Sequence, residues 1–71
     1  MTLSQIAEII VSKAVREIND DDISIQLAKT IFSGISILIT RMHYRREINN
    51  EKYNYCVSIL TTAIANKEKE V

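Results

Sequence analysis

The lack of any proline, and the presence of a single glycine at position 34, confine this chain to helices more firmly than any motif in it. Strands that fold back on themselves need tight turns, and tight turns draw on glycine and proline. A helical chain must also repeat its apolar residues at the helical period, and this one does. Leu3, Ile6, Ala7, Ile10, Val11, Ala14, Val15 and Ile18 recur at three- and four-residue steps. That spacing predicts a first helix over 3–18. Thr2 and Gln5 form the T-x-x-Q pattern of a capping box, with Met1 and Ile6 at the positions of a hydrophobic staple.

A second helix is expected over 20–46. Leu27, Ala28, Ile31, Phe32, Ile35, Leu38, Ile39 and Met42 make a wide apolar face, with Gln26, Lys29, Ser33, Ser36 and Thr40 opposite. A third is expected over 50–66, carrying Tyr53, Cys56, Val57, Ile59, Leu60, Ala63 and Ile64 on one side. Residues 67–71 are charged and are expected to fray. The expected architecture is all-α: one three-helix domain over 1–71, with a long central helix.

The two joints between these helices carry the same four residues. Arg16-Glu17-Ile18-Asn19 is repeated thirty positions later as Arg46-Glu47-Ile48-Asn49. In each, asparagine stands where it can cap the following helix, and isoleucine can staple to a residue beyond it: Ile18 with Ile23, Ile48 with Tyr53. Little else matches at that offset, so the repeat reads as the same capping chemistry used twice. Charge suits the second helix as well. Asp20, Asp21 and Asp22 stand at its expected start and Arg41, Arg45 and Arg46 at its end, complementing the helix dipole by about 0.3–1 kcal/mol per exposed charge.

Size then sets a stability problem. A chain this short buries only about 60% of the surface its unfolded form exposes. Its one cysteine rules out an internal disulfide, and one histidine with one cysteine cannot build a four-ligand zinc site. The apolar face of the second helix is broader than the ~100° stripe of an ordinary surface helix, and Ile9, Ile37 and Tyr55 fall outside the main faces. Leaving several such side chains in water would forgo about 1.5–3 kcal/mol each, against a total domain stability of about 5–15 kcal/mol. A protein partner, another copy or a different chain, would remove that deficit. The expected contact residues are Ile9, Ile35, Ile37, Leu38, Ile39 and Met42. If two central helices of about 40 Å cross antiparallel, the Asp20, Asp21 and Asp22 end of one meets the Arg41, Arg45 and Arg46 end of the other.

Chemistry finds little purchase. His43 lies in a basic segment with no Ser/His/Asp set around it, and reads as a solvated surface histidine. Cys56 reads as small buried filler on the third helix. The three aspartates lack the spacing and glycine of a calcium loop, and no glycine-rich phosphate loop is present. No catalytic, metal or cofactor site is expected, and no small-molecule substrate. Nine basic and nine acidic residues cancel, which disfavours a non-specific nucleic-acid coat. Arg41, Arg45 and Arg46 beside His43 and Tyr44 nevertheless form a candidate nucleic-acid contact. No continuous apolar leader or bilayer-length stretch occurs, so an intracellular, cytoplasmic protein is expected.

The order of a shorter helix, a longer central one and a shorter third resembles the histone fold. Ile6-Ala7-Glu8-Ile9-Ile10, Ile18-Asn19-Asp20-Asp21 and Leu27-Ala28-Lys29 look like the first helix, first loop and central-helix start of archaeal histones. Ile48-Asn49-Asn50-Glu51-Lys52-Tyr53 and Cys56-Val57-Ser58-Ile59-Leu60 resemble the second loop and third helix, including those of small centromere-associated members. The Leu27–Lys29 match needs a one-residue shift, and the central helix is about a turn short. The resemblance implies a handshake dimer of crossed central helices, with Arg45 as the loop arginine and Glu51 or Lys52 at the place of its usual acidic partner. Neutral charge then points to an assembly subunit rather than a DNA-packing protein. A small helical co-chaperone or inhibitor, or a plasmid- or phage-type regulator, fits the residues equally well.

Overall fold

Each helix is set by a local start signal and a buried face, and the computed structural model, which describes residues 1–69, contains three of them: α1 over Leu3–Ile18, α2 over Ile25–Tyr44 and α3 over Asn50–Lys69. α1 has the expected bounds. Its capping box is closed in both directions: Thr2 N–H donates to Gln5 Oε1 at 2.8 Å, and Gln5 N–H to Thr2 Oγ1 at 3.1 Å. The staple does not form with it, because Met1 is 86% exposed.

α2 starts five residues later than expected. Ser24 is its N-cap, accepting the Leu27 N–H at 3.2 Å, and Asn19 instead closes the C-terminus of α1. Asp20, Asp21 and Asp22 therefore lie in the connection and give α2 no dipole complement; no acid stands in its first turn. The reason is local. Asp20 Oδ1 accepts the Asp22 N–H at 2.9 Å, and the Asp20 carbonyl accepts the Ile23 N–H at 3.1 Å. Aspartate side chains offer the backbone such non-helical partners, in competition with the helix. α2 also ends at Tyr44, so the central helix has 20 residues, the same as α3, and spans about 30 Å rather than about 40 Å.

The α2–α3 joint behaves as expected at its far end. Asn49 Oδ1 accepts the Lys52 N–H at 2.8 Å, an N-cap bond, and the staple positions Ile48 and Tyr53 both lie at the core. Its near end is a Schellman turn: Arg46 N–H reaches the His43 carbonyl at 3.0 Å and Glu47 N–H the Met42 carbonyl at 2.9 Å. The left-handed residue that this motif needs is Arg46, with φ 62°.

The charge pattern assigns residues 67–71 to a fraying tail; α3 instead runs through 67–69, and residues 70 and 71 lie outside the described residues. Lys67 is buried at 6% exposure, and its Nζ donates to the Asp20 carbonyl at 2.7 Å, tying the end of α3 to the α1–α2 connection. Its aliphatic stem covers apolar surface while its ammonium reaches a carbonyl at the rim.

All three helices touch one another, and the fold measures 36 × 19 × 16 Å. α1 contributes Ala7, Val11, Ala14 and Ile18 to the core, and α3 contributes Cys56, Leu60, Ala63 and Ile64. α2 adds Ala28, Ile39 and Met42, and the joint adds Ile48. The alanines let the backbones approach, and Ile18, Ile39, Leu60 and Val11 fill the space between them. No helix among the described residues is long and apolar enough to cross a membrane.

Candidate protein interface

The three-helix core uses only part of the apolar arc on α2. Ile39 and Met42, expected at a contact surface, are 0% and 7% exposed and belong to the interior of the single chain. Ile35 is half-buried against that core. Both corrections have one cause: α1 and α3 close over the side of α2 that carries Ala28, Ile39 and Met42, and the chain positions flanking that side stay in water.

Leu27 is 50% exposed, Ile37 57% and Leu38 40%, while Ile31 is half-buried. On a helix turning 100° per residue, Leu27, Ile31, Gly34 and Leu38 fall within about 60° of one another, at steps of four, three and four. They form one continuous stripe rather than scattered apolar side chains, which is the arrangement that carries information. Gly34 sits at its centre, and a Cβ placed there would meet nothing within 4 Å. A mid-helix glycine costs about 1 kcal/mol relative to alanine. No packing inside this chain requires it. Around Gly34 the side chains of Thr30, Ile31, Ile37 and Leu38 stand at i−4, i−3, i+3 and i+4, which frames a notch on the helix surface. The sequence signal for this notch was present: a lone glycine flanked by apolar residues at helical spacing.

The two charged clusters bracket the stripe. Asp20, Asp21 and Asp22 precede α2, while Arg41 lies in its last turn and Arg45 and Arg46 just beyond it. All six are exposed, and among the described residues none forms an intrachain salt bridge.

A second apolar area lies elsewhere. Ile9, 46% exposed, lines a shallow groove on α1 with Met1, Gln5, Glu8, Ser12 and Arg16. Tyr55, 49% exposed, lies beside Lys52, whose Nζ is 2.8 Å from Glu8 Oε2 and 5.6 Å from the Tyr55 ring. The Glu8 carboxylate holds the Lys52 ammonium above its ordinary pKa.

The remaining reactive side chains are absorbed by structure. His43 is half-buried rather than solvated: its ring stacks on Tyr53 at 4.2 Å between centroids, and Nε2 is hydrogen-bonded to Asn50 Oδ1. The Tyr53 hydroxyl also lies 3.4 Å from Thr40 Oγ1, so this group pins the end of α2 to the start of α3. Cys56 is fully buried, and burial pushes its thiol up, away from the reactive thiolate. No cluster of metal-ligating side chains occurs among the described residues.

Comparison of the chain with protein-family models, with curated proteins and with solved structures found no match.

Proposed function

We propose that this chain is a non-enzymatic protein-interaction module that binds through the exposed stripe of α2. The observation that carries this reading is the open notch at Gly34, framed by Ile31, Ile37 and Leu38. Large apolar side chains left half in water forgo about 1 kcal/mol each, and an unpacked glycine adds a helix penalty. A chain of this size retains such a surface at a cost to its own fold, and an opposing protein helix relieves both terms. A nucleic-acid partner has less support, since three exposed arginines are offset by equal acidic charge over the whole chain. A co-chaperone or inhibitor role is a version of the same reading in which the partner is an unrelated target.

A photo-reactive residue at position 37 tests it in cells that express the chain. A discrete covalent adduct with a protein is expected from position 37 and none from position 13 on α1. Absence of any adduct from position 37, with the chain folded, would overturn the reading.

A further inference from the structure

We infer that the occupant of the α2 stripe is a second copy of this chain, laid antiparallel about a two-fold axis at Gly34. This rests on the interaction reading above and names its partner. The argument from charge is positional. Asp22 stands twelve residues before Gly34, and Arg46 stands twelve residues after it; Asp21 and Arg45 stand thirteen before and eleven after. A two-fold axis at Gly34 exchanges the two ends of α2, so it brings the acidic connection of each copy to the arginine end of the other. A closed symmetric pair needs a surface complementary to itself, and a stripe with acid at one end and base at the other meets that condition only in the antiparallel sense. Parallel copies would set aspartate against aspartate and arginine against arginine. All six groups are exposed, and among the described residues none has an intrachain ionic partner to give up.

The apolar middle fits the same axis. Gly34 of one copy faces Gly34 of the other across the axis, and with no Cβ at either position the two backbones can approach closely. Because the patch is isologous, Leu38 of one copy meets Thr30 of the other, and that contact occurs twice.

Sedimentation equilibrium of the full chain, from micromolar to near-millimolar, tests the pairing. A monomer–dimer equilibrium that weakens with added salt is expected. Asp20→Lys, Asp21→Lys and Asp22→Lys together are expected to weaken dimerisation on the order of tenfold, in keeping with several exposed pairs lost at once. Adding Arg41→Glu, Arg45→Glu and Arg46→Glu to the same chain should restore it. The two triple variants, each self-repelling, should form a mixed dimer when combined. Gly34→Gln supplies a readout independent of charge: it should raise the melting temperature of the dilute chain by about 4 °C while weakening the dimer. Failure of the combined charge reversal to restore association overturns the antiparallel arrangement. A chain that is monomeric throughout, yet gives an adduct with a different protein from position 37, overturns the second copy and leaves the interaction reading standing. A monomer with no adduct at all removes both.

Discussion

At residues 16–19 the sequence Arg-Glu-Ile-Asn is the end of a helix; at 46–49 the same four residues lie outside helix altogether, between α2 and α3. Arg16 and Glu17 keep helical backbone, whereas Arg46 is left-handed with φ 62°. Asn19 closes α1, whereas Asn49 opens α3. Only the isoleucine keeps one role: Ile18 and Ile48 are 0% and 4% exposed, and both anchor their joint in the core. Identical short sequences thus share what depends on side-chain apolarity and differ in what depends on the residues that follow. After Asn49 comes Asn50-Glu51-Lys52, which can enter a helix. After Asn19 come three aspartates and then Ser24, a competing cap. The α2–α3 joint is closed by its own Schellman turn and cap. The α1–α2 joint also draws on a distant residue, Lys67, for its Asp20 carbonyl.

The largest effects test the shared anchor. Ile18→Ala and Ile48→Ala should each cost about 2–5 kcal/mol in denaturant unfolding, enough to leave much of the chain unfolded. A cost below about 0.5 kcal/mol for either would mean that the two isoleucines are not equivalent. Next comes the tether. Lys67→Met keeps the aliphatic stem but loses the charged donor, at about 1.5 kcal/mol. Amide exchange should quicken at Asp22 and Ile23 and stay unchanged at Arg46 and Glu47; equal quickening at both joints would show that Lys67 has no special hold on the first.

The caps separate the joints further. Asn49→Ala and Ser24→Ala should each cost about 1 kcal/mol, and Asn19→Ala should fall within about 0.5 kcal/mol of no change. An equal loss at Asn19 and Asn49 would contradict the different cap positions. The smallest effects carry opposite signs. Arg46→Gly relieves the left-handed backbone and should raise stability by about 0.5–1 kcal/mol, whereas Arg16→Gly puts glycine inside α1 and should lower it by about 1 kcal/mol. Thermal melts of the two variants in parallel decide this.

Legibility in the sequence followed the same division. Capping at Thr2 and Asn49, the bounds of α1 and the inward face of α3 depend on residues three or four apart, and could be read directly. The buried step from Cys56 to Leu60 to Ala63 continues by the same four-three-four spacing to position 67, but the lysine there masked it. On α2, spacing set Ile37 outside the main face, where it is exposed, but it could not separate the outward Leu38 from the inward Ile39 and Met42, because the apolar arc exceeds the width that two neighbouring helices cover.

By itself the amino-acid order determined that this chain is helical, where two of its three helices begin, and that it carries more apolar surface than three short helices hide. Those outcomes arise from the period of the helix and from hydrogen bonds within one turn. The tertiary structure decided which flank of α2 is enclosed, that Lys67 is buried, and that Gly34 faces open space. These depend on where α1 and α3 come to rest against α2, and an apolar arc wider than its contact leaves that choice to packing.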